Sequence, residues 1–273
     1  MTVYVITHKQ FNELYPSKGY QKLLVGAKNN RKNVPFDEQD SFLLDDTGDN
    51  ISDRNDRFCE LTGLYWIWKN IHNDDNVGIV HYRRYFGTYP ATFLGKVREY
   101  SAGLMGRQLQ IISTEALDSL LNDYDVVVTN NQTTVPYGDP QMVWQEYASA
   151  HYLNDLEITR DVIISQFPEY EKTFQQVIHG KRYHHYNMMY TTRSNFNRYC
   201  EWLFSILFKV EQRINVDQYD SYQRRIFGFL SERLMDVWLL HNNLRIKELR
   251  VLKVESPNDL DVRVRIKNRF IRK

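Results

Sequence analysis

Three short runs of apolar residues constrain the fold of this chain more than any other feature: Thr2–Thr7 (TVYVIT), Val77–Val80 (VGIV) and Val126–Thr129 (VVVT). Runs this short and this apolar read as buried strands, the kind that helices cover on both faces. Between the first two, Leu61, Leu64, Tyr65, Trp68 and Ile71 recur at helical spacing and form one apolar stripe. Ser52 or Asn55 is expected to cap that helix, with Asp56 in its first turn. Further helices are expected near 140–152, 154–166 and 168–179. Two more carry Phe196, Cys200, Leu203, Leu207 and Val210 on one face, and Phe227, Leu230, Leu234, Val237 and His241 on another. The pattern predicts an α/β fold: a mixed, mostly parallel central sheet flanked by helices, with a helix-rich C-terminal half. In such sheets ligands bind at the carboxyl ends of the strands.

Composition narrows the function. Lys plus Arg total 35 against 34 for Asp plus Glu, a net charge of +1, which disfavours a nucleic-acid binder. Two cysteines, Cys59 and Cys200, make neither a zinc cluster nor a disulfide framework, so a reducing, cytoplasmic setting is expected. The opening apolar run is too short for a signal peptide, and no stretch approaches the roughly eighteen apolar residues of a membrane span. Toward the C-terminus, Arg263, Arg265, Lys267, Arg269, Arg272 and Lys273 alternate with apolar residues. Such a tail suits an anionic inner membrane surface, at about 1 kcal/mol per cation, and equally suits a solvated terminal strand.

The most informative segment is His81-Tyr-Arg-Arg-Tyr85, which begins where the Val77–Val80 strand ends. Guanidinium forks match phosphate oxygens, so Arg83 and Arg84 suit a diphosphate, although alternation along a strand lets only one of them face a ligand. Salt bridges to acidic loops are the competing expectation. Of two Asp-x-Asp matches, Asp123-Tyr-Asp125 precedes its strand, at the wrong edge, and Asp259-Leu-Asp261 follows Pro257; both read as turn or capping residues. The loop from Asp45 to Asn50 is the better acidic candidate, against an ordinary Asx/Gly turn. Asp139, just before Pro140, fits a helix cap or a substrate hydroxyl ligand. The adjacent His184 and His185 point apart on a strand and lack chelating spacing on a helix. Glu232 and Asp236 share one helical face beside an apolar stripe, where burial would raise a carboxyl pKa. Glu232 is therefore the candidate base, and Asp236 a supporting residue. No GxGxxG, GxxxxGK[ST], HExxH or GxSxG motif occurs, so dinucleotide oxidoreductase, P-loop, zincin and α/β-hydrolase readings lack their machinery.

Several blocks together are distinctive: Thr7-His8-Lys9, Asp49-Asn50-Ile-Ser52, CELTGLYWIWKN from Cys59 to Asn70, VGIVHYRRYF from Val77 to Phe86, Asn187-Met-Met, and GFLSERL from Gly228 to Leu234. They resemble a domain-of-unknown-function family encoded in bacterial capsule, O-antigen and exopolysaccharide gene clusters. Some of its members are galactofuranosyltransferases, and the family is similar to GT-A glycosyltransferases. Met189-Tyr190 departs from that family's more aromatic, aliphatic pair. The resemblance implies one domain over 1–273, with a nucleotide-sugar-binding half (1–135), a helical acceptor and catalytic half (136–255) and a basic tail (256–273). It implies a UDP-sugar donor, galactofuranose first, and a lipid-linked or oligosaccharide acceptor. His8, Asp49, Asn50 and Ser52 would hold the donor beside His81, Arg83 and Arg84. Glu232 would act as base, and Asp139, Asn187 and Asp236 would serve the acceptor or support the site. Glu60, Thr62 and Tyr65 share a helix that is partly core and carry less weight. The His81-Tyr82-Arg83 segment stands where metal-dependent relatives place Asp-x-Asp, so Mn²⁺ or Mg²⁺ lacks its usual ligands. A non-catalytic glycan-binding or assembly protein is the alternative expectation.

Overall fold

The computed structural model of the chain describes residues 1–11, 18–88, 99–101, 111–133 and 139–253. The Asp259-Leu-Asp261 match and the basic tail at 256–273 lie outside them. The strands are β1 (Thr2–Thr7), β2 (Tyr20–Leu24), β3 (Leu43–Leu44), β4 (Asn76–His81), β5 (Arg84–Phe86), β6 (Glu99–Ser101), β7 (Val126–Thr129), β8 (Gln132–Thr133), β9 (Arg182–Tyr183), β10 (Met189–Thr192), β11 (Ile246–Leu249) and β12 (Val251–Lys253). The helices are α1 (Ala27–Asn30), α2 (Asn55–Phe58), α3 (Leu61–Asn70), α4 (Thr114–Leu120), α5 (Val143–Ala150), α6 (Leu153–Gln166), α7 (Glu171–Ile178), α8 (Arg193–Glu211) and α9 (Ile226–His241).

The main sheet runs β11-β7-β10-β4-β1-β2-β3, with β5, β6 and β12 joined at one side through β4. β1 is parallel to both β2 and β4, while β10 is antiparallel to both its neighbours, β4 and β7. Alternation along the strands explains their apolar runs. Tyr4, Ile6, Val77, Ile79, Val126 and Val128 face one cluster, packed against α3, α8 and α9. Val3, Val5, Val80, Val127 and Tyr190 face a second, with Phe86 and Leu117. Both faces are dry, so neither tolerates polar alternation. β10 comes from the second half of the chain and lies between two strands of the first, so the two halves share one sheet. Met189 and Tyr190, which depart from the family pattern, are buried here as sheet core.

α3 sits tight on the sheet. A Cβ at Gly63 would lie 2.8 Å from Ile6 Cδ1 and from Val25 Cγ1, closer than carbon atoms approach, so only glycine allows this contact. Neither Ser52 nor Asn55 caps the helix as expected. The Ser52 hydroxyl donates to Asp45, and Asn55 Nδ2 donates to the Cys59 carbonyl and to Thr62 Oγ1. The chain breaks between α2 and α3 at Cys59, which adopts φ 50°, ψ −127°, a region that L residues rarely occupy. That break turns Glu60 toward the carboxyl edge of the sheet.

Candidate active site

A cavity of about 690 Å³ opens at that edge, within the roughly 300–1,000 Å³ of small-molecule sites. Its floor is the carboxyl ends of three parallel strands: Ile6, Thr7 and His8 at the end of β1, Val25 after β2, and His81 and Tyr82 at the end of β4. Asn55, Asp56, Cys59 and Glu60 come from α2 and its junction with α3, and Ser221, Arg224 and Arg225 from the approach to α9. The amino-terminal ends of α3 and α9 therefore both open on it, and their dipoles favour an anion there. The lining draws on both halves of the chain, with Arg224 and Arg225 joining His8 on the wall.

Of the two arginines in the β4–β5 hairpin, Arg84 lines the cavity and Arg83 does not. Arg83 lies over the Tyr82 ring at 5.1 Å, whereas Arg84 lies over the Tyr186 ring at 4.4 Å. Arg84 Nε is buried without a hydrogen-bond partner. Among the described residues no carboxylate lies within ion-pair distance of either guanidinium. Arg224 Nη1 reaches Asp56 Oδ2 at 3.5 Å, and Arg225 Nε donates to Cys59 Sγ at 3.4 Å. Three arginines thus face the cavity against two carboxylates, Asp56 and Glu60.

The histidines add no charge at neutral pH. Burial lowers the His8 pKa below 6.5, and Lys9, Arg83 and Arg225 lower it further. Burial likewise lowers His81; Glu60 opposes the shift and Arg84 adds to it. His81 Nε2 donates to the Tyr186 carbonyl at 2.6 Å. His81, expected beside the donor, thus ties β4 to the 184–188 loop. That loop is strained, with Tyr186 at φ 80° and Asn187 at φ 49°, conformations that persist only where the surroundings impose them. Tyr186 N–H donates to Glu232 Oε1 at 3.0 Å, and Asn187 Nδ2 donates to Glu60 Oε1 at 2.6 Å and to the Gly228 carbonyl at 3.3 Å.

Glu232 stands behind this loop rather than on the cavity wall. Its carboxyl pKa is pushed up to about 7, by burial first and then by the charges of Glu60 and Glu146, against the pull of Arg233 and of the Tyr186 N–H. Arg233, nearly enclosed, holds Glu146 at 2.6 Å and Glu232 at 3.3 Å. Asp236, one turn on, accepts from both the backbone N–H and Nδ1 of His184; it braces the β9–β10 connection.

The remaining expected residues lie elsewhere. Asp49 accepts from the Tyr65 hydroxyl at 3.0 Å, Asn50 donates to the Gly48 carbonyl, and Ser52 is bound to Asp45; none lines the cavity. Asp45, fully buried, is the hub of that loop and also accepts from the Gly26 and Ala27 N–H groups. Asp139 is exposed, and α5 starts three residues past Pro140 at Val143, with Met142 in the cap position, so Asp139 does not cap it. Asp125 is occupied by Arg245 at 3.0 Å, as a turn residue would be. Sequence reasoning missed Arg224 and Arg225 and gave Glu60 little weight. For Glu60 a signal existed: a carboxylate opening the ELTGLYW block.

A divalent cation does not fit the β4 edge. The hairpin offers His81, Tyr82, Arg83 and Arg84, with no carboxylate, and among the described residues no group of three or more His, Cys, Asp or Glu could hold a metal. Also among them, no helix is long and apolar enough to cross a membrane.

A mixed, mostly parallel sheet with its cavity at the carboxyl edge places the chain among α/β proteins. The apo structure of WbbM, a bifunctional glycosyltransferase, matches with a TM-score of 0.81 and 26% identity over 93% of this chain. The chain spans 45% of WbbM's length. It belongs to the domain of unknown function family DUF4422, whose model covers residues 2–243. No curated protein matches it.

Proposed function

We propose that this protein is a glycosyltransferase that moves a sugar from a UDP-sugar to a bacterial surface-polysaccharide acceptor by a single inverting displacement. UDP-galactofuranose is the favoured donor on the family resemblance. The observation that carries the reading is the convergence of Arg84, Arg224 and Arg225 with two helix amino-termini on one cavity. Guanidiniums there meet a diphosphate with charge-assisted, bidentate hydrogen bonds.

As the bond from the anomeric carbon to the diphosphate oxygen lengthens, positive charge builds on the sugar and negative charge on UDP. The arginines stabilise the departing diphosphate more strongly than the intact donor, and that difference accelerates the step. An acceptor approaching from the α9 side, past the 184–188 loop that covers Glu232, gives its hydroxyl proton to that carboxylate, its oxygen bonds to the anomeric carbon, and UDP leaves with the electron pair. A carboxyl titrating near 7 is matched to that proton transfer at neutral pH. Glu60, fixed by Asn187, holds negative charge beside Glu232 and keeps its basicity high. The basic residues from Arg263 to Lys273 would dock the protein on anionic lipid at the inner membrane face.

The test is UDP release from a panel of UDP-sugars offered with a bacterial glycan extract, with and without EDTA. One donor should release UDP well above the rest, in an acceptor-dependent manner. No acceptor-dependent release from any donor, either way, would overturn the proposal.

A further inference from the structure

A ring cluster adjoins the cavity on the α9 side. His151 stacks on Phe229 with centroids 4.0 Å apart, and Tyr222 lies 5.2 Å from Phe229 and 5.9 Å from His151. Tyr152 packs on Tyr219 at 4.7 Å. Tyr222 is 52% exposed and Tyr152 47%, among the most exposed large side chains of the described residues. We propose that this platform is the acceptor subsite: a carbohydrate chain stacks on the open faces of Tyr222 and Tyr152. The assignment of the sugar as acceptor rests on the transferase reading above.

Three observations support a carbohydrate occupant. The first is continuity. Tyr222 stands between Ser221 and Arg224, both on the cavity wall. The Arg225 guanidinium, which also lines the cavity, lies 5.6 Å over the Phe229 ring. Arg225, Phe229 and Glu232 follow one another at helical spacing, so a sugar on the rings lies along the face that leads to the base. The second is chemistry. The five side chains are rings, four of them with a polar edge, and none is aliphatic; a sugar offers an apolar C–H face and hydroxyls to such a surface. The nearby carboxylates are engaged within the cluster, although Asp155 Oδ2 is buried without a partner. Asp155 accepts from the Tyr219 hydroxyl at 2.7 Å, and Asp220 accepts from the Tyr222 and Gln223 N–H groups. The third is preorganisation. The Asp220 turn fixes the backbone of Tyr222, and Gln223 bonds both His151 Nδ1 and the Ala150 carbonyl. Little freedom remains to be lost on binding.

The test is saturation-transfer NMR on the full chain with methyl glycosides of galactose, glucose and mannose, beside a UDP thermal-shift measurement on each variant. The wild type should pass saturation to sugar ring protons. Tyr222→Ala should bind roughly 3- to 10-fold more weakly, the loss of one stacking contact. Tyr222→Phe should bind like the wild type, and the UDP shift should be unchanged throughout. The inference is overturned if no glycoside receives saturation, or if the Tyr222→Ala, Tyr152→Ala double variant matches the wild type. It is also overturned if Tyr222→Ala alters only the oligomeric mass, which would assign the rings to a second copy of the chain. Glycoside binding lost in Tyr222→Ala, in a protein that UDP does not stabilise, would uphold the platform while removing the donor reading.

Discussion

Replacing His184 isolates one buried charge network, and its effect can be worked from the structure. His184 is nearly enclosed between α9 and β11. Asp236 binds its Nδ1, and Glu248 Oε1 lies 3.4 Å from its Nε2. Burial alone would lower the imidazole pKa, but the two carboxylates outweigh it and raise it from 6.5 to about 9. A group whose folded pKa exceeds its unfolded value stabilises the fold fully below the unfolded value. That contribution fades as pH rises through the folded one. The interval from 6.5 to about 9, at about 1.4 kcal/mol per pH unit, corresponds to about 3 kcal/mol. Against a typical total of about 5–15 kcal/mol that is large. Urea unfolding at pH 6 and at pH 9.5, for the wild type and for His184→Gln, removes the contributions of other titrating groups by difference. The wild type should lose about 3 kcal/mol more than the variant over that span. Equal losses would refute the reasoning, because the imidazole would then carry no excess proton in the fold.

Glu232→Gln should lower turnover by roughly 10²–10⁴-fold, the usual weight of a general base, with UDP binding kept. In the wild type kcat should rise with pH through about 7 as Glu232 ionises, and steady-state kinetics on the variant should lack that limb. Arg84→Ala should weaken UDP binding by calorimetry about 10-fold or more, as expected when a charge-assisted contact of at least about 1.5 kcal/mol is lost. Arg83→Ala, off the cavity wall, should change UDP binding much less. Asp45→Ala strands the buried Gly26 and Ala27 N–H groups and the Ser52 hydroxyl. At about 1–3 kcal/mol for each unsatisfied buried group, it should lower the unfolding free energy by several kcal/mol in urea titration.

Local pattern carried much of the architecture. Strands buried on both faces leave uninterrupted apolar runs, which is why β1, β4 and β7 are readable, and one apolar stripe was enough for α3. The edge on which the cavity opens followed from β4 ending at His81. Contacts between distant segments left no such trace. β10 reads as an isolated MYTT, and only its pairing with Val77 and Val126 puts it in mid-sheet. Arg224 and Arg225 reach the cavity because α2 packs on α9, a meeting of segments about 170 residues apart that no spacing encodes. That the Asp45–Ser52 loop stands off the cavity wall has a physical reason the sequence does not carry. A carboxylate that organises its own loop through backbone N–H groups has the same composition as one that holds a ligand. For His81, burial and the neighbouring Arg84 guanidinium, neither legible in the sequence, lower the imidazole pKa.

The central claim is that the cavity grips a nucleotide through its diphosphate, and calorimetric titration with uridine, UMP and UDP in turn tests it most directly. Affinity should climb with each phosphate, the largest gain coming with the second, and that gain should shrink in Arg84→Ala. Equal affinities for the three, or no heat from UDP at millimolar concentration, would contradict the account.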